Sequence, residues 1–161
     1  MAIRVGINGF GRIGRQVYRI CHTNPELEVV AINDVTDAKT LAHLLKYDSV
    51  HGTMNADVME KDGSIIVDGK TVRVLCERDP ESLPWRGLKA DVVLESTGKF
   101  RDRIGGEKHR VAGARKVIVS APARNPDVTF VSCSASTKKS TIETSITSFQ
   151  RGPARPIAWR P

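Results

Sequence analysis

The sequence has few of the features that mark secreted, membrane-spanning or metal-binding proteins. Only three of its 161 residues are cysteines, Cys21, Cys76 and Cys133, and their spacing fits neither a metal site nor a redox motif. An odd cysteine count without a secretory signal after Met1 indicates a reducing, cytoplasmic setting. No apolar run has the length of a membrane span. We therefore expect a cytoplasmic protein with one core-forming domain, no membrane partner and no bound metal.

Basic and acidic residues nearly balance over most of the chain, and an excess of one sign occurs only near the carboxyl terminus. Residues 1–131 hold 20 Lys or Arg and 17 Asp or Glu, whereas residues 132–161 hold five basic residues and one acidic residue. Because the larger part has no basic stripe, nucleic-acid binding is not indicated there and is kept only as a minor alternative for the tail. Residues 132–161 also contain ten Ser or Thr and no lasting apolar period, so we predict a disordered polar tail.

A glycine-rich run near the amino terminus is the most informative feature that is present. Gly9, Gly11 and Gly14 form a G-x-G-x-x-G pattern between a predicted strand and a predicted helix, and Asp34 follows the next predicted strand. In dinucleotide-binding proteins such glycines allow a tight turn, a close approach to the pyrophosphate and close packing of helix and strand. The carboxylate of Asp34 would accept hydrogen bonds from ribose hydroxyls and repel a 2′-phosphate, which favours NAD over NADP.

The rest of the pattern alternates strands with helices. This order predicts an α/β fold of the Rossmann type over residues 1–131, a doubly wound, mostly parallel sheet with a small antiparallel hairpin insertion or small meander. The predicted strands are 3–8, 28–32, 64–67, 71–76, 91–94, 116–120 and 128–131. Two helices are predicted over about 9–22 and about 102–112. A third helix between them would be capped by Thr36 or Asp37 and would carry Leu41, Leu44 and Leu45 on one face.

Several longer stretches make residues 1–131 similar to the amino-terminal half of the phosphorylating glyceraldehyde-3-phosphate dehydrogenases. The matching stretches are Val5 to Arg15, Ile32 to Asp34, Leu45 to Gly52, Glu95 to Gly98 and Val119 to Pro122. The resemblance implies NAD as cofactor and the oxidation of glyceraldehyde 3-phosphate with phosphate to 1,3-bisphosphoglycerate. The family's homotetramer forms largely through its second half, so none is expected of this chain.

The resemblance also implies a role for each matching cofactor residue. The backbone N–H groups of Arg12 and Ile13 would contact the pyrophosphate, Asp34 the adenosine ribose and Arg78 the adenine. Thr97, Gly98 and Ser120 would line the pocket around the nicotinamide half.

Simpler roles stay open for some of these residues. Arg78 could form a surface ion pair with Asp79, Ser120 could only end a strand, and Arg12 could be a solvated helix residue. The four histidines show no ligand or nucleophile spacing, so surface or structural roles are expected for them.

The nucleophile of the family's chemistry is missing from this sequence. In the family a cysteine in Ser-Cys-Thr-Thr-Asn-Cys attacks the aldehyde, and a histidine from the second half activates it. The neighbours of Cys133 do not match that motif, and Cys21 and Cys76 fall in a predicted helix and strand, where buried structural roles are expected. We therefore expect no catalytic residue and no catalytic domain here, and NAD binding without catalysis is the alternative function.

The tail suggests why the motif is missing. Codons that can encode residues 153–161, when read one base earlier, permit Ser-Cys-Thr-Thr-Asn-Cys-Leu-Ala-Pro. Upstream parts of the tail behave in the same way, which leads to the hypothesis that the chain is a truncated product whose reading frame shifts near residues 131–134. The coding DNA decides this hypothesis, because the alternative frame must contain the codons of the cysteine motif.

Overall fold

The computed structural model describes residues 2–122, and a mostly parallel sheet of seven strands organises them. The strands and helices, in chain order, are β1 Ile3–Asn8, α1 Arg12–Thr23, β2 Leu27–Asn33, α2 Ala38–Lys46, β3 Tyr47–Asp48, β4 Gly52–Thr53, β5 Val58–Lys61, β6 Ser64–Val67, β7 Lys70–Leu75, β8 Val92–Glu95, α3 Arg103–Val111 and β9 Lys116–Val119. The predicted strand over 128–131 and the predicted tail over 132–161 lie outside the described residues.

The strand order of the large sheet is β5-β6-β7-β2-β1-β8-β9. Strands β7, β2, β1, β8 and β9 run parallel to one another, while β5 and β6 add an antiparallel edge. The chain leaves β1 toward β2 on one side and later returns to β8 on the other. This reversal beside β1 is the point at which open α/β sheets bind ligands, above the carboxyl ends of the strands. The predicted Rossmann-type fold is confirmed.

Side-chain caps explain where two of the helices begin. The carboxylate of Asp37 accepts a hydrogen bond from the backbone N–H of Thr40 at 2.9 Å, which selects Asp37 rather than Thr36 as the cap of α2. Asp102 does the same for Gly105 at 2.7 Å at the start of α3. Helix α1 is the exception, because Gly11 at its cap position provides no side-chain hydrogen bond.

Two apolar clusters lie on opposite sides of the sheet. One gathers residues such as Ile7, Phe10 and Leu45 under α1 and α2, and the other gathers Val93 and Trp85 with small neighbours on the side of α3. The second cluster needs a glycine in β1, because a Cβ on Gly6 would lie 2.6 Å from the ring of Trp85. Both faces of the parallel strands are thus covered, as the alternation of strands and helices predicts.

Three details differ from the sequence-based expectations. On α2, Leu44 is 37% exposed and Ala42 joins the buried face instead, because helix geometry turns position 44 away from the sheet. Cys76 is exposed, since β7 ends one residue before it, at Leu75. Strands β3 and β4 form a separate small sheet that the sequence did not predict. Of the two predicted arrangements of the antiparallel insertion, β5, β6 and β7 adopt the meander.

Candidate dinucleotide-binding site

A cleft of about 370 Å³ opens at the carboxyl ends of β1, β2, β7 and β8, beside the reversal of strand order. The residues that line it are Asn8, Gly9, Gly11, Asn33, Asp34, Val35, Glu77, Arg78, Ser96, Thr97, Lys99 and Phe100. Five of the ten predicted cofactor residues are among them, namely Gly9, Gly11, Asp34, Arg78 and Thr97. The cleft is thus formed by loops that follow strands far apart in sequence.

The three glycines of the run occupy three different environments. Gly9 has a φ of +89°, and a Cβ there would lie 2.6 Å from the backbone nitrogen of Thr97. A Cβ on Gly14 would lie 2.3 Å from the carbonyl oxygen of Gly9, so this glycine allows α1 to pack on the turn. A Cβ on Gly11 would have no heavy atom within 4 Å and would stand in the open space of the cleft.

The start of α1 fits an anionic ligand. Its first backbone N–H groups, at Arg12, Ile13 and Gly14, have no partner within the helix, and Gly11 supplies no capping side chain. No acidic residue lies in the first turn. A phosphate placed over Gly11 would meet free N–H donors and the positive end of the helix dipole. Arg12 and Ile13 do not themselves belong to the lining of the cleft, and their side chains are exposed.

The carboxylate of Asp34 is fixed by the glycine-rich turn and by its own loop. Its Oδ2 accepts a hydrogen bond from the backbone N–H of Phe10 at 2.7 Å, and its Oδ1 accepts one from Thr36 at 3.0 Å. A carboxylate has about four lone-pair positions, so about two remain for a ligand. Asp34 is half-buried and lines the cleft, which suits it for accepting from ribose hydroxyls.

A second carboxylate, Glu95, lies beneath the cleft and is 1% exposed. One oxygen accepts from the backbone N–H and the hydroxyl of Thr97, and the other accepts from Asn8 Nδ2 and, at 3.0 Å, from His109 Nε2. The ring of His109 in turn accepts from Trp85 Nε1 at 3.1 Å. We call these residues, together with Asn33, the Glu95 network.

Asn33 extends the Glu95 network to the opposite wall of the cleft. Its Nδ2 donates to Asn8 Oδ1 at 2.7 Å and to the carbonyl of Glu77 at 2.8 Å, and its Oδ1 accepts from the N–H of Glu77 at 2.8 Å. The side chain of Asn33 therefore anchors the loop that carries Arg78 into the cleft.

The other predicted residues have simpler positions. Arg78 is exposed in the cleft, and the proposed ion pair with Asp79 is not observed because Asp79 contacts Lys108 at 3.0 Å. That hydrogen bond is the main reason why the pKa of Asp79 lies below its usual value. Gly98, with a φ of +72°, makes the turn after Thr97, and Ser120 is an exposed strand end whose N–H donates to Glu95 O at 2.9 Å. Neither Gly98 nor Ser120 lines the cleft.

Comparison with known proteins agrees with this geometry. Residues 3–103 match the family model described as glyceraldehyde 3-phosphate dehydrogenase, NAD binding domain. The chain belongs to this family. The cleft of this chain fits NAD because of the free N–H groups of α1, the open space above Gly11 and the two uncommitted acceptor positions of Asp34.

Three curated relatives illustrate the similarity. The glyceraldehyde-3-phosphate dehydrogenase of Geobacillus stearothermophilus is 58% identical over 131 residues, which are 81% of this chain and 39% of the relative. The Thermotoga maritima enzyme is 59% identical over 130 residues, 80% of this chain and 39% of the relative. The Streptomyces coelicolor enzyme is 51% identical over 132 residues, with coverages of 81% and 39%. The chain thus spans about 39% of the length of these relatives.

No group of three or more His, Cys, Asp or Glu within residues 2–122 could hold a metal ion. None of the helices in that range is long and apolar enough to cross a membrane.

Sequence reasoning missed the role of three residues in the Glu95 network. Asn8, Trp85 and His109 carry no motif signal, since their partners lie between 14 and 101 positions away along the chain. Only the alternation pattern offered a hint, because Asn8 and Glu95 are polar residues at the ends of strands whose other buried residues are apolar.

Proposed function

We propose that the cleft binds NAD, with the pyrophosphate at the start of α1 and the adenosine ribose at Asp34. The observation that carries this proposal is the carboxylate of Asp34, which the Phe10 N–H holds at the cleft with acceptor positions to spare. Arg78 supports it as an exposed cation beside the adenine, and Thr97 and Gly98 lie on the side of the nicotinamide. Arg12 and Ile13 contribute backbone N–H groups, and Ser120, which lies outside the lining of the cleft, is kept as a residue on the nicotinamide side.

Titration with NAD and NADP tests the proposal. We expect NAD to bind at least about tenfold more tightly than NADP, because Asp34 would repel the added 2′-phosphate. Asp34→Ala should weaken NAD binding and remove most of this preference. Asp57→Ala is the matched control, since Asp57 is an exposed acid that does not line the cleft. Equal affinities for the two nucleotides in the unmodified protein would contradict the proposal.

We further propose that this cleft is the cofactor half of a phosphorylating aldehyde oxidoreductase. In that reaction glyceraldehyde 3-phosphate and phosphate are the partners of NAD. Within residues 2–122 the two cysteines, Cys21 and Cys76, lie in the core and at an exposed loop, and neither lines the cleft. The thiolate step therefore needs residues beyond this part, and NAD binding without turnover is the function that we propose for the chain by itself.

An absorbance assay separates binding from turnover. With glyceraldehyde 3-phosphate, phosphate and NAD, we expect the purified chain to produce no NADH while NAD still binds. A full-length relative, such as the Thermotoga maritima enzyme, serves as the positive control. Aldehyde-dependent NADH formation by the chain itself would contradict the non-catalytic function and support the enzymatic one.

We also propose that the cofactor domain comprises residues 1–131 and that residues 132–161 do not belong to it. The similarity to curated relatives supports this boundary, since it extends over 128 to 132 residues. Cytoplasmic localisation is proposed on the same family basis. Truncation after residue 131 tests the boundary, because the shortened chain should keep the NAD affinity of the full chain.

A further inference from the structure

Glu95 has no acceptor capacity left for a ligand. Its two oxygens receive four donors, two from Thr97, one from Asn8 and one from His109. This number fills the about four lone-pair positions of a carboxylate. Glu95 ends β8 and forms the floor under the turn from Ser96 to Lys99, so its bonds act on the cleft through that turn.

The hydrogen bonds also determine which nitrogen of His109 carries the proton. The indole N–H of Trp85 is only a donor, so Nδ1 of His109 must be the acceptor. The hydrogen of the neutral ring then lies on Nε2, from which it is donated to Glu95. Trp85 and His109 are both 0% exposed and neither lines the cleft, so any effect they have on a ligand is indirect.

The turn above Glu95 is held at several points. The Thr97 hydroxyl donates to Glu95 and accepts from the backbone N–H of Lys99 at 3.1 Å. The Ser96 hydroxyl donates to the carbonyl of Gly9 at 2.6 Å, which joins the turn to the glycine-rich loop. Ser96, Thr97 and Lys99 all line the cleft. Loss of the Glu95 acceptor would free the central residue of this turn.

Topology determines which half of a dinucleotide the turn meets. The acid after β2 takes the adenosine ribose, and the dinucleotide crosses the reversal of strand order, so the other half lies beyond β1, over β8. We infer that Glu95, supported by His109 and Trp85, is a positioning residue that fixes the Ser96–Lys99 turn against the nicotinamide half of NAD. This inference rests on the proposed NAD binding and names residues that do not touch the ligand.

The test compares NAD with ADP-ribose, which lacks the nicotinamide. Glu95→Gln turns one acceptor oxygen into a donor that faces other donors. We expect it to weaken NAD binding by about tenfold or more and ADP-ribose binding by less than about threefold. Trp85→Phe removes only the indole donor and should shift the ratio in the same direction by about two- to fivefold.

Leu83→Ala is the matched control for Trp85→Phe. Leu83 belongs to the same buried cluster but has no side-chain hydrogen bond, so its truncation lowers stability without altering the network. We expect it to leave the ratio of the two affinities unchanged. Nitrogen-15 spectra of His109 provide a readout that loss of packing would not change. In the unmodified protein Nε2 should be protonated and Nδ1 not, and the Nδ1 resonance should shift in Trp85→Phe, which removes its hydrogen-bond donor, but not in Leu83→Ala.

The possible outcomes separate the inference from the function on which it rests. Unchanged ratios in Glu95→Gln and Trp85→Phe would overturn the inference alone, as would a shift in Leu83→Ala equal to that in Trp85→Phe. If Glu95→Gln does not fold, the comparison of Trp85→Phe with Leu83→Ala decides. Failure of the unmodified protein to bind either nucleotide would overturn the proposed function and the inference with it.

Discussion

Two carboxylates follow the strands on either side of β1, and they are held in opposite ways. Asp34, after β2, is half-buried and receives two backbone N–H groups from residues nearby in its own loop and in the glycine-rich turn. Glu95, at the end of β8, is buried and receives four donors, including one from α3 and one from β1. The first keeps acceptor positions for a ligand, whereas the second has none left.

The difference shows how one sheet edge separates binding from support. A residue that recognises a ligand must stay partly unsatisfied until the ligand arrives, which limits its contribution to folding. A fully satisfied buried carboxylate stabilises the loops around it and recognises nothing directly. The two roles can therefore be separated by substitution, and the predictions below do so in order of decreasing effect.

The largest effect on stability is expected from Glu95→Ala. It leaves buried donors of Thr97, Asn8 and His109 without an acceptor, and it should lower the free energy of unfolding by about 3 kcal/mol or more. Asp34→Ala should lower it less, by about 1–2 kcal/mol, because the half-buried carboxylate accepts from only two backbone N–H groups. Urea unfolding followed by circular dichroism measures both. Similar midpoints for the two variants would contradict the assignment of support to Glu95.

In the glycine-rich turn, too, one residue is expected to affect mainly stability and another mainly NAD binding. Gly14→Ala places a methyl group against the carbonyl of Gly9 and should cost about 1–3 kcal/mol of stability. Gly11→Ala has an ordinary φ of −71° and open space, so stability should change by no more than about 0.5 kcal/mol. The methyl group on residue 11 should instead weaken NAD binding by about fivefold or more. Unchanged NAD affinity in Gly11→Ala would place the pyrophosphate elsewhere.

Local signals explain why much of the fold could be predicted from the sequence. Apolar strands, the glycine-rich run and the cap predicted at Thr36 or Asp37 act over a few residues, and the structure confirms the elements that they predict. Errors occurred where neighbours in space decide the outcome. Leu44 is one example, since the sequence pattern alone does not show how wide a face the sheet covers.

The residues of the candidate site also fall into two groups, those that local sequence predicts and those that only contacts in the folded chain bring together. Asp34 was predicted because a strand and a glycine motif place it, and the resemblance singled out Arg78 and Thr97. The support from Trp85 and His109 was not predicted, because His109 reaches Glu95, and Trp85 reaches His109, only after α3 packs beside β9. Burial makes such polar contacts strong, and burial is a property of the folded chain.

Asn33→Ala would show whether the two sides of the cleft respond separately. The variant loses three hydrogen bonds, to Asn8 Oδ1 and to the backbone of Glu77, and should cost about 1–3 kcal/mol of stability. Because Glu77 carries the loop on the adenosine side, NAD and ADP-ribose should lose affinity equally. A selective loss for NAD, of the kind expected for Glu95→Gln, would mean that Asn33 acts on the nicotinamide side through Asn8 rather than on the adenosine side through Glu77.

The smallest effect concerns Asp48, a carboxylate that resembles Asp34 but lies away from the cleft. Its Oδ1 accepts from the backbone N–H groups of His51 at 2.8 Å and Val50 at 2.9 Å. These two bonds lower the pKa of Asp48 from 3.8 to about 2, and the bond from His51 has the larger effect. A lowered pKa stabilises the fold above the unfolded value, and this contribution is lost as the pH falls through about 2.

Asp48→Asn should therefore lower the thermal midpoint slightly at pH 5, by no more than about 3 °C, with the difference vanishing near pH 2. NAD affinity should not change, since Asp48 does not line the cleft. Thermal scans at both pH values, with NAD titration at pH 7, measure the two properties. A loss of NAD affinity in Asp48→Asn would show that a carboxylate held by local N–H groups affects the ligand even when it lies outside the cleft. The position of Asp34 in the cleft would then not be what distinguishes its role from that of Asp48.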